Sequence, residues 1–482
     1  MTEGATVTPA PREALRAALS GRRAWLVGGA VRDRLLERPT PDLDIVVEGD
    51  PRAPARALAA ATGASAFALS EAFGAWRVVA SGQLWQVDLT PLRGGSLAAD
   101  LALRDFTINA LAEPLAGGAL IDPTGGEADL RAGRLRMASA GAYADDPLRV
   151  LRLVRLASEL ELAPEPATLS AARAHAAGLS EVAAERIWLE LRRIVASARP
   201  VDGVELMAAV GATAVILPEL EALRGVGQTR YHHLDVHDHT LAVLEEVVAL
   251  EAGGDGARAA LGPRATDAAA VLAEPLAEGL TRGTALRLGA LLHDAAKPAT
   301  RIQLAGGRVG FPGHDRVGGD LARDVLGRLR AGSRVAEHVS ALTRHHLRLG
   351  FLVHQRPLSR RAVHAYLSAC QPVGVDVTVL SVADRLATRG RKAQPAIAAH
   401  LELARDLLSE ALAWRAAPPR PPLVRGDELA HELGLPPGPA LGELLADLAA
   451  AGWAGEIDTR QQAIAHARRL LGELGPAGPG RG

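Results

Sequence analysis

Through residues 1–140, apolar positions come in short runs that read as strands separated by turns. Beyond about residue 141 they recur with a helical period. "RAWLVGG" (23–29) and "LDIVV" (43–47) predict strands around a helix at 30–37, and "AWRVVASGQLWQVDL" (75–89) predicts two strands joined at Ser81-Gly82. "RDFTINALA" (104–112) reads as helical, and "GALIDPTGG" (118–126) as a short strand leaving through a turn. The pattern predicts a small mixed sheet with flanking helices. "DPLRVLRLVRLASEL" (146–160) and "SEVAAERIWLELRRIVAS" (180–197) read as amphipathic helices with arginine on their polar sides. A mostly helical, histidine-rich stretch opens at 225–234 and runs to about 395. The proline-rich "AAPPRPPL" (416–423) then leads to a last helical piece with the turn "GLPPGPALG" (434–442), and "GPAGPGRG" (475–482) reads as a frayed end. The expected class is α+β, with segments at 1–140, 141–225, 226–395 and 396–482.

Composition narrows the class. With 482 residues the chain exceeds one core and predicts three or four domains. Apolar content of 48% and charged content of 23% are ordinary for a soluble globular protein. One cysteine, Cys370, excludes an intrachain disulfide and fits a reducing interior. The first residues lack an apolar core after a basic start, and no uninterrupted apolar run approaches the roughly 20 residues of a membrane helix. The expectation is a cytoplasmic protein without a membrane partner; oligomeric state is left open. A net charge of −1 argues against blanket affinity for nucleic acid but not against a local basic face. Lysine occurs only at Lys297 and Lys392, so arginine supplies nearly all positive charge.

The first chemical constellation is "LVGGAVRDRLLERPTPDLDIVVEGD" (26–50). On a strand, residues i and i+2 share a face, so Asp42 and Asp44 would present two carboxylates together. Such a pair is unfavourable unless a cation neutralises it, and hard divalent ions, chiefly Mg²⁺, suit it. The alternative for "PDLD" alone is a turn cap after Pro41. Gly28-Gly29 leads into a helix whose first amides suit a triphosphate. Carboxylates beside a phosphate cradle point to phosphoryl or nucleotidyl transfer, with Asp88 on the "QVDL" strand as a third carboxylate.

"LVGGAVRDRLL…PDLDIVV", "RDFTINALA", "LIDPTGG", "DDPLRVLRLVR" and "AERIWLEL" occur in the order of class II tRNA nucleotidyltransferases, the CCA-adding enzymes, which the chain resembles over about 24–200. The resemblance implies a polymerase-β-like nucleotidyltransferase head followed by an all-α neck and body. It implies that Asp42 and Asp44 bind the catalytic metals and that Gly28, Gly29 and Arg32 face the triphosphate. Arg104, Asp105 and Asn109 would hold the nucleotide's sugar and phosphates. The substrates implied are CTP, ATP and the 3′ end of tRNA.

The family's base-reading motif falls on Asp146 and Arg149. Cytosine and adenine each show an amino donor beside a ring-nitrogen acceptor. A carboxylate accepts and a guanidinium donates, so the pair matches both bases. Guanine and uracil reverse the pattern and would leave polar groups unpaired. Asp146 before Pro147 also reads as a helix N-cap, a role Asp145 could take instead. Arg152 and Arg155 continue the basic stripe that Arg131, Arg134 and Arg136 begin, a surface suited to RNA phosphates.

"HHLDVHDHTL" (232–241), "LLHDAAKPATR" (291–301), "GHDRVGGDLA" (313–322), "RHHLRLG" (344–350) and "SVADRLA" (381–387) form a second set. Imidazole with carboxylate suits transition or borderline divalent metals. The set resembles the HD phosphohydrolase domain, and the resemblance implies His239, His293, Asp294 and Asp384 as the primary metal ligands, with a transition metal or Mg²⁺. His314 and His346 would serve a second metal or a phosphate, His237 and His345 are rivals for two positions, and Lys297 would face phosphate. The leading expectation is metal-dependent addition of CCA, or part of it, to the 3′ end of tRNA. Its rivals are a bacterial poly(A) polymerase, an RNA-end or nucleotide phosphohydrolase, and a non-catalytic tRNA-binding module. "LSEAFGAWRVV" (69–79) looks more like the CCA-type loop than the polymerase's basic stretch.

Overall fold

The computed structural model describes residues 12–40, 42–71, 73–229, 233–389, 393–418 and 420–474. The readings that fall on the first eleven residues, Pro41, His232, Lys392 and residues 475–482 lie outside them. The chain divides into two compact units, Met1–Ile216 and Leu217–Gly482.

Six strands organise the first unit: β1 (Ala24–Val27), β2 (Asp42–Val47), β3 (Ser65–Ser70), β4 (Ala75–Val79), β5 (Gln86–Pro91) and β6 (Ala112–Pro114). Their order is β3-β4-β5-β2-β1-β6. Only β2 and β5 run parallel; the other pairs are antiparallel. Alternation along β2 buries Leu43, Ile45 and Val47 on one face, and β5 adds Val87 and Leu89. Helices Arg12–Ala18, Gly29–Leu35 and Arg52–Thr62 cover that face with Leu15, Val31 and Leu58, each fully buried side chain worth about 1.5–3 kcal/mol. Among the described residues, the other face is packed at the β1–β6 end, by Leu101, Ala110 and Ala112 on Trp25, Val27 and Val46. The polar positions of β2 and β5 therefore stay open.

Three sequence expectations need correction. Residues 104–112 do not form an α-helix: Phe106 makes an isolated bridge to Met137, Thr107–Asn109 is one 3₁₀ turn, and β6 follows. Asp129 is the physical cause, because its buried carboxylate accepts from Thr107 Oγ1, Arg134 and Arg136 and fixes the segment as a loop. Residues 118–126 contribute only an Ala112–Ile121 bridge, after which Asp122 accepts from the Gly126 and Glu127 amides to start a short helix. The β4–β5 connection is longer than a two-residue turn, with a 3₁₀ segment at Ser81–Gln83.

The neck helices are Arg149–Leu160 and Ala184–Ala196, each with an apolar stripe turned inward. Arg155 does not stay on the polar side: it is 8% exposed, because Glu190 of the second helix binds it. Helix Pro200–Ala209 packs tightly against both, since a Cβ at Gly203 would lie 2.7 Å from Ile194 Cγ2 and 2.8 Å from Ser158 Oγ.

In the second unit, helices Val236–Glu251, Arg282–Leu292, Ser333–His345 and Gly374–Ala387 surround the histidine set. Side-chain caps fix two starts: Asp235 accepts from Asp238 N–H, and Thr281 from Thr284 N–H. Residues 424–467 form a core of their own, joined to helix Arg360–Ala369 by Arg361, which donates to Asp447 and Glu456. Among the described residues, no single helix is long and apolar enough to cross a membrane.

Candidate active sites

The first site is a cavity of about 610 Å³ whose lining includes Gly28, Gly29, Asp42, Asp44, Asp88 and Arg104. Asp42 and Asp44 project from the same face of β2, while Leu43 between them is buried. Asp88 stands beside Asp44 in the parallel β2–β5 register. Burial raises the Asp44 carboxyl above its ordinary range; Arg104 opposes this, and Asp88 and Asp42 add to it. Asp42 is raised by burial and by Asp88. Among the described residues, no donor is hydrogen-bonded to either carboxylate, so the pair has oxygen lone pairs to offer and charge to be neutralised. A divalent cation fits that demand.

Asp88 differs. Arg77, its cross-strand partner on β4, donates from Nε and Nη2 to both Asp88 oxygens at 2.7 Å. The third carboxylate is therefore held as an ion pair rather than offered with the first two.

Gly28 has φ 73°, and a Cβ there would lie 2.6 Å from Arg104 Nη1 and 3.3 Å from Asp44 Oδ2. Only glycine lets the turn, the arginine and the aspartate meet. Arg32 donates to Asn109 Oδ1 at 2.6 Å, and Asn109 Nδ2 donates to Asp105 Oδ1 at 2.9 Å. The expected Asp105–Asn109 partnership is present although the helix proposed to create it is not. Burial favours the neutral acid at Asp105, but Arg152, Asn109 and the Phe106 amide outweigh it and lower its pKa.

Arg149 lines the same cavity, with its guanidinium donating to the carbonyls of Leu103 and Ala142. Asp146 accepts from Arg186 Nη2 at 2.7 Å and from Leu148 N–H at 3.2 Å, but neither it nor Asp145 caps helix Arg149–Leu160, which starts after Leu148 without a side-chain cap, and Asp145 ends the preceding short helix. Asp146 and Arg149 thus each hold other protein groups. Arg152 donates to Glu190 at 3.1 Å and approaches Asp105 at 3.5 Å. Glu190, Arg77 and Arg193, the last of which also lines this cavity, were not singled out by the sequence. Hairpin pairing opposite Asp88 was the available signal for Arg77; nothing local marks Glu190.

The second site is a buried cluster. His239, His293 and Asp294 offer ligand atoms within 4.8 Å of one another, and so do Asp294, His314 and His346. Asp294 links the two groups. Its Oδ2 lies 3.1 Å from His293 Nε2, and its Oδ1 lies 3.3 Å from His314 Nε2 and 3.9 Å from His346 Nε2. Asp384 Oδ1 is 3.0 Å from His239 Nε2. The Nδ1 atoms of His293, His314 and His346 lie 2.6–2.7 Å from the carbonyls of Ala290, Phe311 and Thr343, which directs each Nε2 lone pair inward. Among the described residues, buried His293 Nε2, Asp294 Oδ1 and His314 Nε2 have no hydrogen-bond partner, a donor set that suits a divalent cation. Burial resists charge on His293, but Asp294 prevails and raises its pKa; Asp294 itself is held well below the carboxylate range by His293 and Lys297 against the pull of burial. Burial and the neighbouring His293 push His346 down to about 4.

The rivals fall outside the cluster. His237 Nδ1 lies 3.1 Å from Asp238, and His345 accepts from Arg348. Lys297 is buried and donates to Asp294 and to Gln228, a residue that no sequence signal singled out. A cavity of about 420 Å³ adjoins the cluster, lined by His346, Asp384, Arg385, Thr388 and His400 among others.

Comparisons with known proteins agree with this anatomy. The chain matches "Poly A polymerase head domain" over residues 24–96 and 90–136, "Probable RNA and SrmB- binding site of polymerase A" over 161–223, and "HD domain" over 267–389. Fold and sites thus define a nucleotidyltransferase head joined to an HD domain. The chain is 36% identical to an A-adding tRNA nucleotidyltransferase of Deinococcus radiodurans, over 93% of this chain and 96% of that protein. It is 35% identical to a CC-adding tRNA nucleotidyltransferase of Geobacter sulfurreducens, over 94% of each. At this identity and coverage, the chain belongs to the tRNA nucleotidyltransferase family. A Thermotoga maritima CCA-adding enzyme complexed with tRNA shares the fold, with TM-score 0.60, 18% identity and coverage of 95% of this chain and 94% of that one.

Proposed function

We propose that this chain adds nucleotides from CTP and ATP to the 3′ end of tRNA, building CCA without a nucleic-acid template. The carrying observation is the unpartnered Asp42–Asp44 pair beside the Gly28 turn and Arg104 in one cavity. Asp42 and Asp44 would hold Mg²⁺, which when bound would supply Lewis-acid stabilisation of the terminal hydroxyl oxygen and of the pyrophosphate. The hydroxyl oxygen, giving up its proton to solvent, bonds to the α-phosphorus as the bond from that phosphorus to the α,β-bridging oxygen breaks and pyrophosphate leaves. Gly28, Gly29, Arg32 and Arg104 hold the triphosphate, and Asp105 and Asn109 hold the sugar. Asp146 and Arg149 read the base, Asp146 exchanging Arg186 for the exocyclic amino group. The proposed division is a head at 1–140, a neck and body at 141–225, an HD domain at 226–395 and a helical tail at 396–482. The HD cluster, loaded with a transition metal or Mg²⁺, would hydrolyse phosphomonoesters or cyclic phosphates at RNA ends. Its orphaned Nε2 atoms support that role.

A second reading, addition of only CC or only A, draws support from relatives of each kind that match nearly the whole chain. Incubating the protein with tRNA truncated at its 3′ end, with CTP and ATP singly and together, decides the matter. Completed CCA is the expected product. A halt after CC, or A added only to tRNA ending in CC, would establish the partial enzyme. Long A tracts, or no addition at all, would refute tRNA end synthesis.

A further inference from the structure

The row that holds Asp44 and Asp88 continues across the sheet. Asp88 pairs with Arg77 of β4, and Arg77 pairs with Phe67 of β3. Directly paired residues project to the same face, so two carboxylates, a guanidinium and an aromatic ring follow one another across the open side. Phe67 is 47% exposed, and Phe73 in the β3–β4 connection is 72% exposed. Leu69, Ser70 and Phe73 line the cavity that contains Asp42 and Asp44, which makes this apolar surface continuous with the reaction centre.

Direction of attack gives the surface an occupant. Gly28 and Arg104, the triphosphate side, lie on the β1 side of the carboxylates. In-line displacement places the attacking oxygen opposite the leaving one, so the acceptor strand approaches over β5, β4 and β3. We propose that Phe67, Phe73 and Arg77 form the platform for the last nucleotide of the acceptor RNA. Its base stacks on Phe67 beneath Phe73, and Arg77, fixed by Asp88 through Nε and Nη2, donates from Nη1 to its phosphate. Stacking tolerates every base, which suits an acceptor whose final base changes as the end grows. This inference rests on the proposed RNA nucleotidyl transfer.

The test uses the full chain and a tRNA acceptor minihelix ending in 2-aminopurine, whose fluorescence is quenched by stacking. Phe67→Ala should relieve the quench and raise the KM for the minihelix about tenfold, leaving the KM for CTP and ATP unchanged; Phe67→Trp should restore both. Equal quench and equal KM in wild type and Phe67→Ala would overturn the platform. So would an RNA-independent dimer of the wild type that Phe67→Ala abolishes, because the face would then belong to a second copy. A wild-type chain that adds nothing would defeat the nucleotidyl-transfer reading, while the quench in the bound complex would still decide the platform.

Discussion

Desolvation within the cavity and the neighbours Asp88 and Asp42 shift the Asp44 carboxyl upward, against the opposing pull of Arg104. Metal binding requires the ionised form. Nucleotide addition should therefore fall with decreasing pH through a limb above the ordinary carboxylate value of about 3.9. Raising magnesium should move that limb to lower pH, since cation and proton compete for the same oxygens; a limb indifferent to magnesium would remove Asp42 and Asp44 from metal binding. Arg149→Ala should increase misincorporation of G and U about tenfold or more, with tRNA affinity little changed, in single-nucleotide addition assays. An unaltered base preference would mean that its bonds to the Leu103 and Ala142 carbonyls are structural. At this scale the sequence was informative wherever spacing alone fixes geometry. Asp42 and Asp44 needed only the strand period. Asp88 needed its hairpin partner Arg77, whose ion pair changes what the carboxylate can do.

Among elements, the HD helices are tied by charges that periodicity does not reveal. Asp376 of helix Gly374–Ala387 is fully buried and accepts from Arg282 Nε at 3.1 Å, with His338 Nε2 at 3.2 Å. It thus joins three helices of the second unit. Asp376→Asn would leave a buried guanidinium without its counter-charge, at a cost of about 3–5 kcal/mol. Hydrogen exchange should show faster opening of Arg282–Leu292 and Ser333–His345; unchanged protection would make the network dispensable. The sequence signalled these helices through their apolar stripes. It misjudged residues 104–112, because helix-forming residues there answer to Asp129, more than fifteen residues downstream of the segment's end in the chain.

For the whole molecule, the two candidate sites belong to separate compact units. Asp44→Ala should abolish nucleotide addition and spare hydrolysis of phosphate at RNA ends; Asp294→Ala should do the reverse. Loss of both activities with either substitution would mean that the units do not act independently. What the sequence determined by itself was local: the strand face bearing two aspartates, the glycine turn before a helix, the stripes of the neck, and the order of the histidine motifs. Only tertiary structure decided which histidines converge. His239 and His346 enter the cluster while His237 and His345 do not, because helix rotation is set by packing against neighbours distant in the chain. The same holds for Arg155, drawn inward by Glu190, and for Asp88, claimed by Arg77. A charge finds its partner across space, and a linear pattern records only which charges are available.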